Sequence, residues 1–509
     1  MNTKNMRLPE WIKKHWVSIE VLMALMFVVG LANAWNLHGW PARLNDDEAT
    51  YVDQAWAFLH NGTLSHYTYW YDHPPMGWIF IAAYAWVTDG FDRLSSAVMV
   101  GREAMWFVVM ASCALIYLLV RRLNLSRFAA VGAVLIFGLS PLAIYEHRMA
   151  FLDNPATMWL LAAMVFALSP KKGLGAAMGA GICLALAVLT KETIGIMLPV
   201  VIWLMWRNSD RRTRIWNISV FVTIFGLLGF SYVLFAILKG ELIPGSDHVS
   251  LGWALWYQFI GREGSGSVFD SASDSYRLVH VWFALDSWLL WAGLAAAFAG
   301  LFVKKLRPFA VAVLMQVSVV FKGGYLPSPY VIAVIPFMSV LVTGVLELLW
   351  KSEMPITSSA KKLFIFTRRF AMVTTCTVLA VSMASVSISN IRSQSFSDGD
   401  LASLQATEWL MNNISKDDVV IVDDYIWGDL KIAGYNPVWY WKTSGDPQVT
   451  REILPEGYKN VDYVAMPYTP PSTLESLPVL GEAIKHSTVV ASFGGSSEEA
   501  VTIYCVDNT

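Results

Sequence analysis

The sequence predicts an α-helical polytopic membrane protein, of about 11 transmembrane helices, that ends in a small C-terminal α/β soluble domain. Three observations carry that expectation. Hydrophobic residues make up 55% of the 509 and charged residues only 15%, against roughly 45–50% and about 25% in ordinary soluble domains. The apolar excess is gathered into blocks that run to the region of residue 390, after which the composition is that of a soluble protein. Lysine and arginine collect in alternate connections between those blocks, as they do in the cytoplasmic loops of multi-pass proteins.

Taken in order, runs suited to about 30 Å of hydrocarbon fall at 15–38, 98–120, 127–144, 155–169, 173–190, 193–206, 216–238, 283–303, 308–322, 329–350 and 370–390. Residues 76–88 are apolar but short and read as a helix lying at the interface. The run Trp16 to Leu37 exceeds the 7–15 residues or so of a signal-peptide core, so it is expected to stay as a span rather than be cleaved after Ala32-Asn33-Ala34. Basic pairs such as Arg121-Arg122, Lys171-Lys172 and Lys304-Lys305 put the N-terminus inside. Residues 39–97, 145–154, 190–192, 239–282, 322–328 and the C-terminal domain then lie outside. The expected division is a membrane part at 1–394, with its first outer loop at 39–97, and an extracytoplasmic α/β domain at 395–509. A net charge of -2 gives no field for nucleic acid. Cys113, Cys183, Cys376 and Cys505 are far apart and read as packing residues.

Unusual polar residues gather in the outer loops, and ionisable groups at membrane depth are costly unless they pair or act. Asn45-Asp46-Asp47-Glu48 follows the first span and is explained equally by helix capping or by chemistry. Tyr71-Asp72-His73-Pro74-Pro75 sets an acid and an imidazole ahead of a proline pair that fixes backbone direction. Arg148 and Asp153 lie in the second outer loop, Lys191 and Glu192 in a minimal turn between two apolar runs, and Lys322 and Tyr325 beside glycines and prolines. Each cation could equally be an interfacial anchor. The glycine- and serine-rich stretch 261–267 fits either a cover over a site or a surface linker. Asp72, His73, His147 and His248 are of metal-ligand type but show no short ligand spacing; no cofactor is certain, and a divalent metal is left open.

In order along the chain, Asp47-Glu48, His73-Pro74-Pro75, Leu152-Asp153-Asn154-Pro155, Leu189-Thr190-Lys191 and Tyr325-Leu326-Pro327 resemble the motifs of GT-C membrane glycosyltransferases. The resemblance covers roughly the first 330 residues and is closest in kind to protein O-mannosyltransferases and to the aminoarabinose transferases that modify lipid A. It departs from the latter in having His73 where they have lysine. It implies an inverting glycosyltransferase that takes a hexose or pentose from a polyprenyl-phosphate carrier to an acceptor hydroxyl on protein, lipid or glycan. The setting implied is the outer face of the plasma (inner) membrane, in cell-envelope or protein glycosylation. By the same resemblance Asp47 is the general base, with Glu48 and Asp153 orienting or tuning it. Lys191, helped by His73, Arg148 or Lys322, binds the donor phosphate, and Asp72, Tyr71 and Tyr325 line the pocket.

The rival readings are a transporter or flippase of lipid-linked sugars, which should show inverted repeats, and a scaffold for envelope glycans. In the C-terminal part, the pattern predicts a helix at Ala402–Asn413 and strands at Val419–Val422, Val461–Met466, Val489–Phe493 and Val501–Val506. The aromatics Tyr425-Ile426-Trp427 and Trp439-Tyr440-Trp441 suit a core more than a sugar platform. Asp423-Asp424 at a strand end is a weak hint of a site.

Overall fold

The computed structural model describes residues 10–43, 45–245, 247–351, 399–495 and 500–508, with isolated positions between 374 and 389. Apolar runs fold as helices because no other element satisfies its own backbone in lipid. After α1 (Glu10–Ala34) come two helices of the first loop, α2 (Asp46–Asn61) and α3 (Met76–Thr88), then α4 (Ala97–Arg122). A bent pair, α5 (Arg127–Leu139) and α6 (Pro141–Arg148), precedes α7 (Asp153–Ala167), α8 (Leu174–Thr190), α9 (Leu198–Asn208) and α10 (Arg214–Lys239). The helical part closes with α11 (Asp274–Gly300), α12 (Arg307–Val320) and α13 (Ile335–Lys351).

Among the described residues, five helices are long and apolar enough to cross a membrane, or six if the bent pair is one span. This is fewer than expected. The runs foreseen at 155–169, 173–190, 193–206 and 308–322 are all helical, but α7, α8, α9 and α12 have 15, 17, 11 and 14 residues. At 1.5 Å per residue each falls short of about 30 Å of hydrocarbon. The run at 370–390 lies almost wholly outside the described residues. The segment 76–88 is the helix expected there.

Two helix breaks meet inside the bundle. The 60° bend between α5 and α6 falls at Ser140-Pro141, where proline at the first helical position ends the upstream hydrogen-bond ladder. The Ser140 Oγ accepts from Ala143 N–H at 3.2 Å and donates to Asp286 Oδ2 at 2.6 Å. Asp286 is the one residue of α11 with non-helical dihedrals, and its Oδ1 caps the resumed helix at Leu289 N–H, 2.9 Å away. Each side chain thus caps its own resumed helix, and the bond between them joins the two breaks.

The C-terminal part begins with α14 (Leu401–Asn413) and continues through β1 (Val419–Val422), α15 (Asp424–Ile432), β2 (Asn436–Trp439), β3 (Tyr463–Pro467), β4 (Ser487–Phe493) and β5 (Val501–Val506). The five strands form one sheet in the order β2-β1-β3-β5-β4. β1 pairs in parallel with both β2 and β3, while β5 runs antiparallel to β3 and β4. Val420, Ile421 and Val422 are fully buried, as a continuous apolar strand at a sheet centre should be. Strand β2 escapes notice in the sequence because it is short and holds a proline.

This sheet is not separate from the first loop. Tyr67 belongs to the same apolar core as Trp427 and Trp439, and its hydroxyl donates to Pro437 O at 2.6 Å. Both tryptophans are fully buried, so the aromatic segments serve the core. Lys442, also buried, pairs with Asp446 at 3.0 Å and stands 5.1–5.8 Å from the rings of Tyr67, Trp70, Trp439 and Trp441, where cation–π attraction offsets part of its desolvation.

Candidate active site

The acidic run splits three ways as α2 begins. Asn45 caps the helix, its Oδ1 accepting from Asp47 N–H at 3.1 Å. Asp46, Asp47 and Glu48 occupy the first turn, where the helix dipole favours negative charge. Successive helical positions are rotated by about 100°, so the three carboxylates face different surroundings.

Glu48 is fully buried. It forms a two-point pair with Arg102, Nε to Oε1 at 2.9 Å and Nη2 to Oε2 at 3.0 Å. It also accepts from Ala150 N–H at 3.0 Å and from the Tyr425 hydroxyl at 3.1 Å. Arg102 in turn donates to His38 O and Pro41 O, both at 2.9 Å. Every strong acceptor direction of Glu48 is thus filled, which makes it a positioning residue that binds α2 to α4, to the turn before α7 and to α15.

Asp46 turns toward the C-terminal sheet, where its Oδ2 accepts from the Tyr440 hydroxyl at 2.5 Å. Burial holds its carboxyl above the usual range, and the neighbouring Asp47 adds to the shift. Asp424, bonded by Thr50 and by Trp441 Nε1, is pushed well up by burial and by Asp46. Asp423 caps α15 at Ile426 N–H, 2.8 Å, and rises to about 7, through burial first and then the nearby Asp46 charge. Asp53, whose Oδ2 accepts from Trp439 Nε1 at 3.1 Å, is likewise raised by burial and then by Asp424.

Asp47 alone is exposed. Its side chain makes no hydrogen bond or ion pair among the described residues, and its charge acts on Tyr51, Asp153, Lys191 and Tyr325. Facing it is a chain of polar contacts drawn from three separate sequence motifs. His73 Nδ1 lies 3.0 Å from Glu192 Oε2 and its Nε2 lies 2.9 Å from Lys191 Nζ. Lys191 Nζ is 3.7 Å from Asp153 Oδ2, a buried oxygen with no hydrogen bond. An ammonium can only donate, so the pattern assigns His73 the tautomer that accepts at Nε2 and donates from Nδ1 to Glu192.

Helix packing makes this convergence possible. A Cβ at Gly77 would stand 2.3 Å from Leu152 Cδ2 and 3.2 Å from Thr190 Cγ2. The missing side chain lets α3 approach the turn carrying Asp153 and the end of α8 carrying Lys191 together. Tyr69 and Tyr232 both donate to His73 O, at 2.6 and 3.3 Å, and hold the segment that Pro74 and Pro75 stiffen. Tyr71 adopts a positive φ of 57°, a costly setting for a bulky residue, and is tied to Glu241 Oε2 at 2.5 Å. The backbone carbonyl of Asp72 accepts from Gln258 Nε2 at 3.4 Å, while its own Oδ1 is buried without a partner.

The stretch 261–267 is docked on the segment around Gly324 and Leu326. Ser265 N–H donates to Gly324 O at 3.3 Å, and Ser265 Oγ accepts from Leu326 N–H at 3.1 Å. Arg262 lies over the ring of Tyr325, 3.3 Å from its centroid, which brings a second cation to the Asp47 side. Sequence reading placed Arg262 in the loop without assigning it a role, and it passed over Glu192 as a site residue. The signal available for Glu192 was its place next to Lys191 in a turn with almost no loop.

Two expected phosphate ligands make no hydrogen bond or ion pair with this group among the described residues. Arg148 is buried and donates to Ala32 O at 2.9 Å and to Trp40 O at 3.4 Å, with its guanidinium 5.0 Å from the Trp40 ring. It closes the end of α1 instead, because a helix C-terminus leaves carbonyls unpaired. Lys322 is exposed, and its side chain makes no hydrogen bond or ion pair among the described residues. Among those residues no three His, Cys, Asp or Glu side chains gather to hold a metal.

Residues 19–239 match the family model of dolichyl-phosphate-mannose-protein mannosyltransferases. No curated protein matches in sequence. In structure, the chain is similar to ArnT from Cupriavidus metallidurans bound to undecaprenyl phosphate, at a TM-score of 0.61 and 14% identity over 96% of this chain and 97% of that one. It is also similar to the Archaeoglobus fulgidus oligosaccharyltransferase, at 0.56 and 12% over 90% and 70%. A third likeness is to mycobacterial arabinofuranosyltransferase AftD, at 0.50 and 13% over 97% and 41%. The resemblance to GT-C membrane glycosyltransferases read from the ordered motifs is borne out, and the chain has their fold.

Proposed function

We propose, from the premise of a GT-C fold, that the chain is an inverting glycosyltransferase whose donor is a sugar on a polyprenyl phosphate and whose acceptor is a hydroxyl. The observation that carries this reading is the free, exposed Asp47 carboxylate set opposite the chain of buried Asp153 and Lys191 with half-buried His73 and Glu192. A base with open access and cations with room for an anion are the two things such a transfer requires. The undecaprenyl phosphate bound to the Cupriavidus relative supports a polyprenyl-linked donor.

In the reaction, Asp47 takes the proton of the acceptor hydroxyl as its oxygen attacks the anomeric carbon. The bond from that carbon to the phosphate oxygen breaks on the opposite face, and the lipid phosphate leaves with the electron pair. Lys191 and Arg262 stabilise the charge that gathers on it, an effect worth several kcal/mol when donors are held ready in a dry site. His73, fixed by Glu192, and Asp153 hold the Lys191 ammonium in place as positioning residues. Tyr325 carries Arg262, and Tyr71 and Asp72 shape the wall beside His73.

In the same reading the site faces the outside of the inner membrane. The shorter apolar helices complete the set of about 11 spans, and residues 395–509 form the extracytoplasmic domain. The test is purified protein in lipid bilayers with radiolabelled polyprenyl-phosphate sugars. Wild type is expected to cleave the sugar–phosphate bond and Asp47→Asn to retain the donor without cleaving it. Equal cleavage by the variant removes Asp47 as the base. Movement of intact donor between leaflets, without cleavage, makes the protein a transporter.

A further inference from the structure

On the far side of the α2 start from Lys191, the turn Met466–Thr469 borders a groove of about 220 Å³ and a second cavity of about 550 Å³. The smaller reaches from Asp46, Asp423 and Tyr440 to Tyr468. The larger lies beside Tyr468, Thr502 and Tyr504, with no charged residue in its described lining. Arg43, the single cation of the smaller cavity, is committed to Asp400 at 3.1 Å and to Asp429 at 3.7 Å. A phosphate would therefore meet two carboxylates and no free positive charge. Ser403 is 6% exposed and lines the same cavity, and its Oγ has no hydrogen-bond partner. Tyr468 is 76% exposed and borders both cavities.

Carboxylates that accept, hydroxyls that do both, and an open aromatic face are the groups that recognise vicinal hydroxyls on an apolar ring. An extended peptide needs a row of backbone partners, and a lipid phosphate needs cations. We propose that this groove binds a neutral saccharide acceptor, one ring lying against Tyr468 with its hydroxyls on Asp46 and Asp423, so that the next hydroxyl reaches Asp47. This rests on the transferase reading and names its acceptor class. Asp46 and Asp47 are consecutive residues on the first turn of α2, so a saccharide seated on Asp46 lies one residue from the base.

The experiment uses the full chain in lipid nanodiscs, with maltose and cellobiose as neutral probes and with glycerol phosphate and a serine-rich peptide as contrasts. Binding is followed by saturation-transfer NMR, and acceptor use by transfer from a polyprenyl-phosphate sugar. Two variants are compared after their melting temperatures are checked. Tyr468→Ala removes an exposed side chain, and Asp423→Asn keeps the α15 cap because asparagine also caps well. The expected result is saccharide binding by wild type, weakened about tenfold or more in both variants, with acceptor KM raised and kcat little changed. Saccharide binding that neither variant alters, or preference for glycerol phosphate or the peptide, overturns the groove while donor cleavage still stands. A wild type that never cleaves donor overturns the transferase reading and this assignment with it.

Discussion

Asp47 and Glu48 are neighbours in sequence and opposites in the structure. Glu48 is buried, bound at two points by Arg102, and further held by Ala150 and Tyr425. Asp47 is exposed and unengaged, although its charge is felt across the space to Lys191 and Asp153. The contrast teaches that a free carboxylate can be held at a membrane boundary only if the helix bearing it is fixed by something else. Glu48 supplies the fixing, and Asp47 is left available.

Exchanging the roles of the two acids gives the sharpest tests. Asp47→Asn should lower transfer by about 10²–10⁴-fold, the range for loss of a general base, while thermal unfolding in detergent shifts by no more than about 0.5 kcal/mol. Glu48→Ala should do the reverse, costing roughly 3–5 kcal/mol in a denaturant titration because the fully buried Arg102 loses its two-point partner and, among the described carboxylates, keeps only Asp400 at 3.6 Å. A Glu48→Ala protein with an unchanged midpoint would erase the distinction drawn here. Lys191→Met should reduce kcat by about 10²–10³-fold, comparable to losing one donor from an anion hole, and a fall confined to donor KM would move Lys191 out of the transition state.

Asp423 gives a smaller, pH-dependent effect. Its carboxyl lies near 7 in the folded chain, raised by burial and by Asp46, and near 3.9 when unfolded. The stability it contributes is complete below about pH 4 and is lost as pH rises through about 7, a change on the order of a few kcal/mol. Asp423→Asn should therefore flatten the decline of melting temperature between about pH 4 and 8; an equally steep decline would assign the titration to Asp46 or Asp424. The smallest effect belongs to Lys322→Ala, expected to change stability by less than about 0.5 kcal/mol and to leave donor cleavage in place. A large loss of cleavage would return Lys322 to the phosphate.

Much of this was legible in the chain. The helix Ala97–Arg122 was foreseen at 98–120, Arg214–Lys239 at 216–238, and strands Val419–Val422 and Val501–Val506 at their observed limits, because long apolar runs and short β-branched runs carry their own period. Helix Asp274–Gly300 began well before the foreseen 283, since Ser273 caps a polar first turn that hydropathy does not register. The membership of Asp47, His73, Asp153 and Lys191 in one group followed from motif order and shared sidedness. Their pairing through His73 did not, because it depends on the close approach at Gly77, a contact between helices far apart in sequence. The separate fates of Arg148 and Lys322 were illegible for the same reason, since a cation's partner is set by packing.

The knitting of Tyr67, Thr68 and Trp70 into the last sheet, through Pro437, Asp446 and Lys442, bears on how the protein is made. The acidic helix is synthesised early, but the wall against which this loop settles is synthesised some 370 residues later. A chain arrested partway would leave Asp46 and Asp53 without Tyr440 and Trp439. The first loop therefore completes its packing only once residues 437–446 have been made.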